Sequence, residues 1–157
     1  MYSTSPLKVV TELVASPDER FAVSHRQELI HGFEQAKLTA AHAVLIGAGG
    51  IGSEVGDGLC RKGIGHLSII DHDIVEHTNL NRQHFFKEDI GRHKAHCLAR
   101  NLAFHCHAGT TLDGHAYSFQ DALALGIELP ATVVVCGVDN SEARVAVSRH
   151  FRPLGVP

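Results

Sequence analysis

The run Gly47-Ala48-Gly49-Gly50-Ile51-Gly52 has the glycine spacing of a phosphate-binding turn. In such a turn the first glycine permits the bend. The second lets the backbone approach a phosphate, and the third packs a helix against a strand. The helix that follows offers unpaired N–H groups and a partial positive charge to an anion. Gly47, Gly49, Gly50 and Gly52 are therefore candidate phosphate-binding residues. Asp71 ends the next apolar run, where a carboxylate can accept hydrogen bonds from both ribose hydroxyls. A glycine turn by itself also serves plain helix-on-strand packing. With the acid in place it reads as a nucleotide site, and NAD(H) and ATP both remain open.

The polar stretch from Asp71 to Gln83 narrows the chemistry. It reads Asp-His-Asp-Ile-Val-Glu-His-Thr-Asn-Leu-Asn-Arg-Gln. A hydride-transfer enzyme has no use for Asn79, Arg82 and Gln83 directly beyond the ribose acid. An enzyme that activates a carboxylate with ATP does, because attack at the α-phosphate builds negative charge on its oxygens. Fixed cations there favour the transition state over the ground state. Arg82 can fork onto phosphate oxygens and Lys94 can add a point charge. Asp139 is placed to hold Mg²⁺ on the phosphates. The plain alternatives are that Asp73 and Glu76 only cap or solvate a loop, and that Arg82 is a surface cation paired with Asp89.

These residues need elements to position them. An apolar strand at His42–Ile46 precedes the glycine turn. Ile51, Val55 and Leu59 then recur at one helical face. A second strand, His66–Ile70, leads to Asp71. The stretch from 72 to 91 reads as loop or short helical turns, and a helix follows over about 92–105. The sequence predicts a weaker strand at 108–112, a short helix at 118–125, an apolar strand at 131–136 and a last helix after Asp139-Asn140-Ser141. A further helical pattern runs from about Asp18 to Leu38, with Phe21, Leu29 and Phe33 on it. Alternating strands and helices imply an α/β, Rossmann-like parallel sheet with helices on both faces. Counting these four strands, the expected order is 3-2-1-4. Residues 1–18 read as a flexible N-terminal arm, and 19–157 as the nucleotide-binding domain.

The chain has 157 residues, long enough for one domain with a real core. Its formal charge of −3 argues against a polyanion partner bound by bulk charge. No apolar run is long enough to span a membrane, and the N-terminus lacks a signal-peptide pattern, so a cytoplasmic protein is expected. Cys60, Cys97, Cys106 and Cys136 form no C-x-x-C pair and read as buried thiols. His93 and His96 beside Cys97, with His105-Cys106-His107, suggest a metal. They lack a second ligand pair, and no zinc site is expected.

Four pieces in order carry a family resemblance. They are GAGGIG at 47–52, D-x-D-x-V-E-x-x-N-L-x-R-Q at 71–83, D-I-G-R-x-K at 89–94 and C-G-V-D-N at 136–140. The sequence resembles the ThiF/MoeB/HesA family, the ubiquitin-activating-enzyme-like adenylyltransferases. The resemblance implies a Rossmann-like fold that uses Mg-ATP to adenylate the C-terminal carboxylate of a ubiquitin-like or sulfur-carrier protein, releasing pyrophosphate. It assigns Asp71 to the ribose and Asn79, Arg82 and Lys94 to the phosphates. Asp139 goes to magnesium or the reacting carboxylate, and Asp73 and Gln83 shape the same pocket. It also implies a homodimer in which an N-terminal arginine crosses the interface, for which Arg26 is the candidate. The C-terminal half of the family fold is expected to be missing from this chain. The competing readings are a nucleotide-binding module or partner subunit without complete catalysis, an NAD-dependent oxidoreductase, and a superfamily enzyme that activates a carboxylate on a tRNA base. Mild acidity weighs against RNA.

Overall fold

The computed structural model describes residues 6–10, 24–107 and 109–157. Among these residues the sheet has five strands: β1 (Leu7–Val10), β2 (His42–Ile46), β3 (His66–Ile70), β4 (Thr111–His115) and β5 (Val133–Cys136). The helices are α1 (Gln35–Ala40), α2 (Gly50–Lys62), α3 (Lys94–Leu102), α4 (Phe119–Ala124) and α5 (Ser141–Phe151). The strands lie in the order β1-β4-β3-β2-β5. β2 to β5 are parallel, with Ile46 opposite Ile70 on one side and Cys136 on the other.

The four parallel strands stand in the relative order the sequence predicts. The sheet differs in detail because β1 adds an antiparallel fifth strand, with Leu7 opposite Gly114 and Val10 opposite Thr111. Part of the expected flexible arm is thus an edge strand. Residues 11–23, including Phe21, lie outside the described residues. The helix expected from Asp18 to Leu38 is not continuous. Residues 24–28 are helical, and then Gly32 takes φ +82° and turns the chain before α1.

Helices cover both faces of the sheet, and each face has its own core. On one, Leu45, Leu67, Ile69 and Leu112 pack with Cys60 of α2 and Leu98 and Leu102 of α3. On the other, Val44, Ile46 and Ile70 pack with Phe119 and Ala122 of α4 and Val147 and Phe151 of α5. Strands buried on both faces read as continuous apolar runs, which is why β2 is so legible. The same second face turns polar toward the start of β2 and β3. There His42 and His66 stack at 3.7 Å, and the His42 Nε2 lies 2.8 Å from Ser68 Oγ. His66 Nε2 lies 2.5 Å from Asp113 Oδ2.

Two further expectations are corrected. The third parallel strand runs over Thr111–His115 rather than 108–112. Its Gly114 explains the shift, since a Cβ there would stand 2.8 Å from the Ala95 carbonyl oxygen of α3. Only glycine lets strand and helix meet so closely. Of the four cysteines, Cys60 and Cys97 are buried, Cys106 is half-buried and Cys136 is exposed. Cys136 closes β5, which has no further strand beside it among the described residues. No helix among the described residues is long and apolar enough to cross a membrane.

Candidate active site

β2 is the strand at which the winding reverses, with β3 on one side and β5 on the other. The crevice at the carboxyl ends of such strands is where doubly wound sheets bind ligands. A cavity of about 930 Å³ opens there. Gly47, Gly49, Gly50, Asp71, Asp73, Asn79, Arg82, Gln83, Lys94 and Asp139 all line it.

The glycines divide the work as their spacing predicts. Gly47 takes φ +94° and lies against Gly137 of the turn after β5, 3.0 Å from the position of a Cβ. Gly49 faces open space within the cavity wall. Gly52 does not line the cavity; a Cβ on it would stand 1.9 Å from the Gly47 carbonyl oxygen, so it locks α2 onto the turn. α2 therefore starts at the cavity with its first N–H groups free for an anion.

Asp71 is buried beside the turn. Its Oδ2 accepts from the Ala48 N–H at 2.6 Å and its Oδ1 from the Asp73 N–H at 2.8 Å. Burial pushes its carboxyl above the usual range, although the two amides oppose the shift. Each oxygen keeps a lone pair for a hydroxyl donor. The loop after Asp71 folds as two 3₁₀ turns, His77–Asn79 and Lys87–Asp89. Asn79 caps the first, its Oδ1 accepting from the Glu76 N–H at 2.9 Å. Arg82 follows, exposed, donating to the Thr78 carbonyl at 3.1 Å and to Asn81 Oδ1 at 3.0 Å. It does not pair with Asp89. Asp89 is fully buried, and takes Arg100, Asn101 Nδ2 and the Phe86 N–H instead. Gln83 is buried, and its Oε1 has no hydrogen-bond partner, an unsatisfied acceptor beside the cavity.

Lys94 opens α3 and is itself buried, with its Nζ 2.8 Å from Asp73 Oδ2. An Ile74–His93 bridge holds the two segments side by side. The Lys94 ammonium is thus held by a carboxylate at the cavity wall. Asp139 is exposed at the cavity rim just before Asn140, which caps α5 by accepting from the Ala143 N–H at 2.7 Å. Asp71, His72 and Asp73 have ligand atoms within 4.8 Å of one another. They suit a cation poorly, because the Lys94 ammonium already lies against Asp73 and would repel a second positive charge.

The structure does not bring Arg26 to this cavity. Arg26 is exposed in the turn at 24–28, whose Gln27 Nε2 donates to the Lys62 carbonyl at the far end of α2. α2 has 13 residues, which separates its ends by roughly 20 Å. Sequence reasoning missed the wall formed by Tyr117, Ser118, Phe119 and Gln120. The signal was present, since this segment follows a parallel strand. The expected strand ended three residues early and left the segment away from the crevice.

Known proteins share this family and fold. The ThiF family matches residues 23–155. The ubiquitin-like modifier-activating enzyme 5 of Drosophila grimshawi is 32% identical over 145 residues, 85% of this chain and 36% of that protein. Its Drosophila melanogaster counterpart is 30% identical over 146 residues, 85% of this chain and 35% of that one. The chain therefore spans about a third of the length of these relatives. Among solved structures, E. coli tRNA N6-threonylcarbamoyladenosine dehydratase, TcdA, in complex with ATP superposes with a TM-score of 0.73 at 26% identity, over 95% of this chain and 60% of that one. E. coli MccB with AMPCPP and MccA gives 0.76 at 26% identity, over 90% and 44%. The family match runs over the glycine turn, the 71–83 loop, Lys94 and Asp139 alike, and the chain belongs to the ThiF family.

Proposed function

We propose that this chain is the ATP-binding part of an adenylyltransferase that activates the C-terminal carboxylate of a ubiquitin-like or sulfur-carrier protein. The carrying observation is one cavity that holds a helix N-terminus, a buried carboxylate, Asp71, and two cations, Arg82 and Lys94. A nicotinamide site explains Gly47–Gly52 and Asp71 but leaves those cations without work. The ATP complexes of TcdA and MccB support the nucleotide.

In this reading the ribose hydroxyls bind Asp71 and the phosphates lie against the first turn of α2. A carboxylate oxygen attacks the α-phosphorus, a new O–P bond forms, and the bond to the bridging oxygen breaks. Pyrophosphate leaves with the electron pair. The nucleophile is already ionised, so no general base is needed. Arg82 and Lys94 face the charge that builds on the phosphate oxygens, and Lys94 exchanges Asp73 for phosphate as it does so. Asp139 suits Mg²⁺, which takes few protein carboxylates and keeps several waters. The ion would neutralise the triphosphate when bound. Arg26 of a second copy is the candidate for an arginine supplied across a dimer interface.

The likeness to TcdA favours a second acceptor, a carboxylate on a modified tRNA base, at the same site. ATP–pyrophosphate exchange, run with candidate carrier proteins and with tRNA, tests both. Exchange stimulated by a carrier and abolished in Arg82→Ala supports adenylation of that carrier. ATP binding without exchange for any acceptor refutes it and leaves a binding module.

A further inference from the structure

Arg82 and Gln83 reach the cavity from a loop, not from a strand or helix. A phosphate-binding cation on a loop is useful only if the loop is fixed relative to the phosphate. The next residue, His84, does not line the cavity. Its carbonyl accepts from Asn101 Nδ2 at 3.2 Å, and its ring points the other way, onto the flank of α2. There His84 Nε2 lies 3.0 Å from Glu54 Oε1, and His84 Nδ1 lies 3.9 Å from Asp57 Oδ1. Asp57 also receives Arg61 Nε at 2.7 Å and faces His105 Nε2 at 2.8 Å. Burial pushes the Asp57 carboxyl up, but the Arg61 hydrogen bond and the charges of His105, Arg61 and His84 outweigh it and hold the group below the usual range.

Glu54 and Asp57 stand three residues apart on α2, on one face. α2 is also the helix whose first turn faces the cavity, and the Arg82 stem lies 3.8 Å from where a Gly50 Cβ would be. One rigid element therefore offers its N-terminal amides to an anion and, one to two turns on, two carboxylates to His84.

We propose that His84, held by Glu54 and Asp57, is a positioning residue that fixes Arg82 against the phosphate end of the cavity. The proposal rests on the ATP reading above. It predicts an effect confined to the phosphate-dependent share of nucleotide affinity.

The test is titration calorimetry of the full chain with ATP and with adenosine, for the wild type, His84→Ala, His84→Gln and Arg82→Ala. His84→Ala is expected to weaken ATP about tenfold, the share of one charge-assisted hydrogen bond, and to leave adenosine unchanged. Gln keeps a donor for Glu54 and restores most of the loss. Added to Arg82→Ala, His84→Ala costs nothing further, because the two act through one contact. Unchanged ATP affinity in His84→Ala overturns the proposal. So does equal weakening of ATP and adenosine, or full additivity with Arg82→Ala. If the wild type binds no ATP, the adenylation reading fails. The anchoring is then judged by amide hydrogen exchange of residues 80–86 without nucleotide, where faster exchange in His84→Ala supports it and unchanged exchange refutes it.

Discussion

Gly52→Ala is the most incisive perturbation of the site. The added Cβ would stand 1.9 Å from the Gly47 carbonyl oxygen and 2.9 Å from its carbon. Both are backbone atoms of a turn already pinned to Gly137, so neither can rotate away. Contacts under 3.0 Å are essentially never seen for a real Cβ, so α2 must retreat by about 1 Å at its first turn. Overpacking of this kind costs about 1–3 kcal/mol of stability. In the proposed ATP reading the retreat also moves the amides assigned to the phosphates, and hydrogen bonds to a charged group contribute about 1.5–3 kcal/mol. ATP affinity should fall about 10- to 100-fold. Gly58→Ala is the control on the same helix, since a Cβ there meets nothing within 4 Å. It should gain up to about 1 kcal/mol of helix propensity and bind ATP normally. Thermal melts and titration calorimetry on both variants decide the matter. If Gly52→Ala melts and binds ATP like the wild type, the turn is not locked by that contact and the reasoning is wrong.

Asp71→Asn should weaken ATP at least about tenfold by calorimetry, because an amide presents a donor where two backbone N–H groups and the ribose all need an acceptor. Since burial raises the Asp71 carboxyl, ATP affinity in the wild type should fall on acidification earlier than an ordinary carboxylate would require. Burial, then the neighbouring His66, lower the His42 ring to about 4, against Asp113. The unfolded chain takes up that proton first. The resulting stability is thus complete above about pH 6.5 and is lost as pH falls toward 4. After discounting for partial exposure the loss is about 1–2 kcal/mol. His42→Asn should flatten this part of a stability–pH curve measured by urea unfolding. Asp89→Ala strands Arg100, Asn101 and the Phe86 N–H, and should cost about 3–5 kcal/mol, read as a melting temperature lower by roughly 6–20 °C.

The legible parts of this chain are those where local pattern and tertiary setting agree. His42–Ile46 and His66–Ile70 are apolar runs closed by turn residues, and the structure has them residue for residue. The residues singled out between Gly47 and Lys94, Gly52 apart, line one cavity, and their grouping was legible because glycine turns and polar loops after parallel strands collect at the same end of such a sheet. β4 was not, because Asp113, Gly114 and His115 are poor strand formers that only the His66 contact and the close approach of α3 make sense of. The Asp73–Lys94 pair was equally hidden. The two residues come from separate segments, and the pairing depends on how α3 begins against the 72–75 stretch.

β1 carries a consequence for how the chain assembles. Leu7 and Val10 are synthesised before their pairing partners, Gly114 and Thr111, which follow about a hundred residues later in the chain. The parallel strands can begin to associate through the shorter β2–α2–β3 crossover, whereas β1 must wait for β4 to be laid down. Long-range closures of this kind are slow because the loop entropy is lost before any contact forms. β1 thus cannot join the sheet before β4 is made, and until it does the β4 edge stands open to other chains.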